Sequence, residues 1–180
     1  MTQISDFSPE DFDLIISLPY RVGLHVSYAD DEEGEQDDEL EMRALQASIR
    51  EMSGIHGDTP LVQEIATETL KHKDQWKKWE DGVFNIEPLC KKAIEAIEKT
   101  ANKEEVKAYR AMLVEIATSV AQAYGEFGVE EEQDEGFFSG LMKKIAGGIS
   151  DGGEANHPMN VSAAEDSAIE RIKNALTISA

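Results

Sequence analysis

Apolar residues recur along this chain at the three-to-four-residue spacing of helices, β-branched runs are short, and aromatics are sparse. FSPEDFDLIISL opens with Ser8 as N-cap and Pro9 at the first helical position, with Glu10 and Asp11 against the positive end of the dipole. Pro19 disfavours helical geometry at Leu18, so this helix is expected to break or kink there. It should resume through PYRVGLHVSYAD with Val22, Val26 and Ala29 on one face and Arg21 facing out. A second helix begins near Asp37, with Leu40, Ala44, Leu45, Ile49 and Met52 at helical spacing, and SGIHGD ends it. Thr59 and Pro60 start a long helix that the pattern carries through Trp76 and Trp79 to Asp81-Gly82.

NIEPLCKKAIEAIEKT then places Leu89, Ala93, Ile94 and Ile97 on one stripe. Asn102 followed by Glu105 reads as a capping-box variant and opens a helix through Val106, Tyr109, Leu113, Ile116 and Val120, stopping near Tyr124-Gly125. A further helix is expected from Val129 to Ala146, carrying Phe137, Phe138, Leu141 and Ile145. The composition changes at GGISDGGEANHPMN, which has the Gly-rich, polar character of a flexible linker. Ser162 and Glu165 form a capping box for a last amphipathic helix with Ile169, Ile172 and Leu176 on one stripe. The pattern therefore predicts an all-α, multihelical single domain over 1–146, a linker over 147–161, and an amphipathic C-terminal helix over 162–180. That last helix is read as an appended docking element outside the core.

The chain has 180 residues, enough for one domain with a substantial core. No apolar run reaches the roughly 20 residues that span a bilayer, and MTQISDFSPEDF lacks the basic and apolar regions of a signal peptide. The single Cys90 has no partner for an internal disulfide and fits a reducing compartment. A cytoplasmic location is expected.

Charge changes the picture most. The net charge is −20. Nine of the twelve residues from Asp30 to Glu41 are carboxylates and none is basic. Glu126 to Glu135 adds six more carboxylates without a base, so the rest of the chain carries only −5. Such a charge disfavours nucleic acid and anionic membrane surfaces. It suits a cation, a basic protein partner, or solubility.

The two acidic segments sit in similar settings. The first follows GLHVSYAD and the second IATSVAQAY, so that Val26 and Ala29 correspond to Val120 and Ala123, and Gly34-Glu35 to Gly125-Glu126. Both have the form of a helix, a tight Gly turn and an acidic helix start, which suggests an internal duplication. The first copy carries three extra residues, Asp31 to Glu33.

On these residues, the stretch from about Phe12 to Ala146 resembles the tellurite-resistance TerB-like family. The resemblance implies an all-helical fold built by duplication, with acidic inter-helix turns that bind divalent cations, usually calcium. It also implies a bacterial stress-response setting with membrane-associated protein partners. Glu33 stands in the place of the family's turn aspartate before Gly34, with Asp30 at the helix end. Gln36 occupies a position that is usually apolar. In the second copy Phe127 fits the apolar position and Glu130 to Glu132 fit the acidic start, whereas Tyr124 takes the aspartate position.

The chemistry of hard cations agrees with an ion at such a turn, because Ca²⁺ takes six to eight oxygen ligands at about 2.3–2.6 Å. The candidate ligands are Asp30, Glu33, Glu35, Asp37 and Glu39, with Glu126, Glu130 and Glu131 as second-half counterparts. The competing reading is a solvated run in which Asp37, Asp38 and Glu39 serve as a helix start.

Other residues carry less. Glu64, Glu68 and His72 share a helix face and are read as surface pairs. His25 is read as a satisfied buried residue, Cys90 as a structural thiol, and Trp76 and Trp79 as core anchors beside Lys77-Lys78. His56 and His157 fall in turns, and Ser139 and Ser150 lack a nucleophile's setting. With no catalytic constellation, the chain is read as a non-enzymatic protein that binds a divalent cation and protein partners. The alternative is a metal-free acidic adaptor that docks a basic partner.

Overall fold

The computed structural model describes residues 2–29, 35–55, 59–126 and 161–177, with the backbone alone for 35–41, 55 and 123–126. Within them the fold is all-α. The helices are α1 (Pro9–Ser27), α2 (Glu35–Ile55), α3 (Pro60–Lys71), the single turn α4 (Trp76–Trp79), α5 (Ile86–Glu98), α6 (Lys103–Glu126) and α7 (Ala163–Thr177). Short 3₁₀ turns at Ile4–Asp6, Lys73–Gln75 and Val83–Asn85 join or precede them.

α1 is the central element. From Ile15 to Val26 every residue except Arg21 is buried, as expected of a helix with neighbours on all sides. It packs against α2, α3, α5, α6 and α7. The approach to α2 is close at Gly23, where a Cβ would run into the buried Leu45 side chain. Ser8 caps α1 as expected, its Oγ accepting from Asp11 N at 3.2 Å.

Of the break or kink expected at Pro19, the break is absent: α1 runs through it as one helix. Proline cannot donate the bond that Ile15 O would otherwise receive, a defect that costs about 3 kcal/mol in a helix interior. A neighbouring helix repairs it, and a second adds a bond one residue on. Tyr109 Oη on α6 donates to Ile15 O at 2.9 Å. Thr69 Oγ1 on α3 lies 2.6 Å from Ile16 O and 2.9 Å from Ile65 O, dividing its one proton between them. The local propensity was real, and tertiary hydrogen bonds override it.

The long helix expected from Thr59 to Asp81 is also revised. α3 stops at Lys71: His72 N still donates to Glu68 O at 3.1 Å, with His72 Nδ1 2.9 Å from the same oxygen, and Trp76 Nε1 donates to Thr69 O at 3.1 Å. The indole bond satisfies a carbonyl that a continuing helix would have used. Trp76 and Trp79 are buried as read, with Trp76 stacked on Tyr20 at 4.5 Å between ring centroids.

The two capping boxes form. Asn102 Oδ1 accepts from Glu105 N at 3.0 Å while Glu105 Oε2 accepts from Asn102 N at 2.9 Å. Glu105 also accepts from Thr2 N at 3.1 Å and Thr2 Oγ1 at 2.8 Å, tying the start of the chain to α6. Burial pushes its carboxyl pKa up, but these donors and the chain's terminal charge outweigh burial and hold it below the ordinary value. At α7, Ser162 Oγ accepts from Glu165 N at 3.2 Å and Glu165 Oε2 from Ser162 N at 2.9 Å.

α7 is not outside the core. It packs on α5, α6 and α1, and Ala168, Ile169, Ile172, Ala175 and Leu176 are buried in the same apolar cluster as α1. A glycine-rich approach separates elements in sequence only, because closing a long loop adds little entropy cost per residue. The linker proposed for 147–161 lies, but for Val161, outside the described residues. So do the helix expected over 129–146 and the second half of the suggested duplication from Phe127 onward.

Candidate functional site

The polar stripe of α1 converges on one loop. Ser17, Arg21, His25 and Tyr28 follow one another at helical spacing, and the last three all engage the connection between α4 and α5. Arg21 Nε donates to Ser17 Oγ at 3.1 Å, and its Nη1 donates to Asp81 O. His25 Nδ1 lies 2.8 Å from Val83 O. Tyr28, the C-cap of α1, stacks on Phe84 with centroids 5.5 Å apart and planes inclined by 16°. The loop turns at Gly82, whose φ of +85° is open to glycine and strained for other residues. Arg21 is therefore half-buried and bonded rather than facing out.

This clamp holds an aromatic ring in water. Phe84 is 78 % exposed and Tyr28 38 %, and these are the exposed large hydrophobics among the described residues. Fully burying a phenylalanine is worth about 1.5–3 kcal/mol, so most of that stabilisation is forgone here. The bonds from Arg21 and His25 fix the backbone on which the ring stands. Exposed acids flank it: the run from Glu80 to Glu87 holds three carboxylates and no base.

His25 is buried, as the sequence reading has it, yet only half satisfied, since Nε2 has no hydrogen-bond partner. Burial lowers its pKa. The Val83 carbonyl opposes that shift, the Arg171 charge on α7 adds to it, and Glu87 on α5 opposes it.

The same end of α1 leads into the acidic connection. Asp30 and Glu33, and likewise Glu130 and Glu131, lie outside the described residues. Glu35, Asp37 and Glu39 fall in the opening turns of α2 and Glu126 is the last residue of α6, described in backbone alone. Among the described residues no group of three or more His, Cys, Asp or Glu side chains could hold a metal ion.

Of the other candidates, Glu68 and Cys90 match their plainer readings. Glu68 pairs with Lys71 at 2.7 Å and Glu64 accepts from Ile4 N at 2.9 Å. The Cys90 thiol is buried and its pKa is pushed up to about 12, chiefly by burial, which leaves it protonated and a poor nucleophile. His56, Ser139, Ser150 and His157 lie outside the described residues. A cleft of about 440 Å³ between α2 and α3 is lined by Arg50, Ser53, Thr67, Leu70, Lys71 and Lys73 and brings together no nucleophile–base pair. No described helix is long and apolar enough to cross a membrane.

The sequence reading missed Phe84 altogether. Its one available signal was an aromatic in EDGVFNIE, a short acidic run with a glycine turn. Compared with family models, curated proteins and solved structures, the chain finds no match. The TerB-like resemblance thus rests on the turn residues alone.

Proposed function

We propose that this chain is a non-enzymatic helical binding protein of the bacterial cytoplasm. On this reading the acidic α1–α2 connection takes a divalent cation, with Ca²⁺ the expected ion, and the same end of the molecule meets protein partners in a stress response. The observation that supports it most is the gathering of charge at one end of the central helix. α1 ends at Ser27 and α2 starts at Glu35, and the −9 run from Asp30 to Glu41 occupies their connection and the first turns of α2. The negative end of the α1 dipole also lies at this end of the helix and favours a cation there, and carboxylate oxygens are donors of the kind hard cations accept. Asp30, Glu33, Glu35, Asp37 and Glu39 are the proposed ligands. Glu126, Glu130 and Glu131 are their counterparts in the suggested duplication.

The test is a thermal melt at neutral pH in chelator and in millimolar calcium, with magnesium as the size control. Free ion at roughly 100 times its dissociation constant adds about 2.7 kcal/mol, which raises the Tm by about 5–10 °C. Asp30→Asn combined with Glu35→Gln should remove that shift. A wild-type protein that calcium stabilises no more than this double variant refutes the ion site. That outcome leaves the metal-free adaptor, which the exposed Tyr28–Phe84 pair beside the acidic connection favours.

A further inference from the structure

The Tyr28–Phe84 pair is an exposed apolar surface held in place by polar contacts. Phe84 presents a largely free ring, 78 % exposed, while Arg21 and His25 fasten the loop beneath it at Asp81 and Val83. The flanking run from Glu80 to Glu87 and the run from Asp30 to Glu41, two residues beyond Tyr28, contain twelve carboxylates between them and no lysine or arginine. Arg21, the nearest cation on α1, is engaged with Ser17 and Asp81.

We propose that this pair anchors the docking of an arginine-bearing basic segment of a partner protein. A planar guanidinium stacks on the free face of Phe84, where the ring quadrupole attracts it. Asp81 and Glu87, three residues to either side of Phe84, supply carboxylates that match the guanidinium's donors. The wider negative field speeds the encounter. Nucleic acid and anionic membrane are repelled by the same field. A second copy of this chain would bring two surfaces of the same sign together, around an aromatic patch far smaller than the ~800 Å² per partner of a stable interface. The inference rests on the reading that this end of the molecule meets a protein partner, and it does not need the cation.

The test uses the full chain and two blocked, labelled dodecapeptides, one alternating Arg and Ala and the other Lys and Ala. Binding is followed by fluorescence anisotropy at about 150 mM salt. The arginine peptide should bind the more tightly. Phe84→Ala should weaken it about five- to tenfold, with a smaller effect on the lysine peptide, and Phe84→Tyr should restore binding. Phe84→Ala binding both peptides as wild type does would overturn the proposal, leaving bare charge attraction. So would an absence of saturable binding. Sedimentation showing a dimer that Phe84→Ala dissociates would assign the ring to self-association and overturn it as well. A missing calcium shift with arginine-peptide binding intact would sink the ion reading and leave this one standing, and the reverse pair of results would do the opposite.

Discussion

Two places on α1 treat their polar groups in opposite ways. At Pro19 the helix has lost a backbone donor in its buried middle, and a hydroxyl from another helix closes the defect, Tyr109 at Ile15 O, with Thr69 adding a bond at the neighbouring Ile16 O. Beyond Arg21 the polar residues face a loop, one imidazole nitrogen of His25 has no partner, and the structure they build ends in the exposed ring of Phe84. The first site removes every local liability. The second keeps one on display, which stability alone does not require. The contrast separates a part of the molecule that serves folding from a part that we propose is offered to another molecule.

The largest effect should come from α7, which packs on α1 near the second site, with Arg171 close enough to act on His25. Ile172 is fully buried, so Ile172→Ala should cost about 2–5 kcal/mol in urea unfolding. A chain lacking residues 147–180 should lose its cooperative melt. A variant with α7 removed that melts as sharply as the full chain would return this helix to the status of an appendage.

Tyr109→Phe comes next. It leaves Ile15 O buried without a donor and should cost about 1–3 kcal/mol, although only one oxygen is removed. The same substitution at a satisfied helix carbonyl would cost far less, so a near-neutral result would mean that Pro19 needs no repair.

A smaller effect belongs to His25. Its pKa in the folded protein lies below the unfolded value, so the unfolded chain takes up the proton first as pH falls. Stability present above about pH 6.5 is therefore lost as pH drops through the folded value. His25→Gln should flatten that part of the stability–pH curve. An unchanged slope would place the titration elsewhere.

Much of the helical framework was legible before any coordinates. Ser8, Asn102 and Ser162 announce their helices because capping is a local interaction between residues three apart. The buried faces of α5 and α6 follow from spacing alone. Pro19 misled because its repair comes from Tyr109, ninety residues away in sequence, and no local rule contains that hydroxyl. α7 misled for the same reason, since its partners are α5, α6 and α1. The acidic end of α1 was legible as charge. Its aromatic pair was not, because Tyr28 and Phe84 meet only through the clamp at Arg21 and His25.

The most direct test sets the two sites side by side: Phe84→Ala and Tyr109→Phe, each measured for unfolding free energy in urea and for affinity to the arginine peptide. Phe84→Ala should leave stability within about 0.5 kcal/mol and weaken binding. Tyr109→Phe should lower stability by about 1–3 kcal/mol and leave binding by the folded protein unchanged. A Phe84→Ala protein that loses stability like a core variant while holding the peptide at full strength would contradict the division.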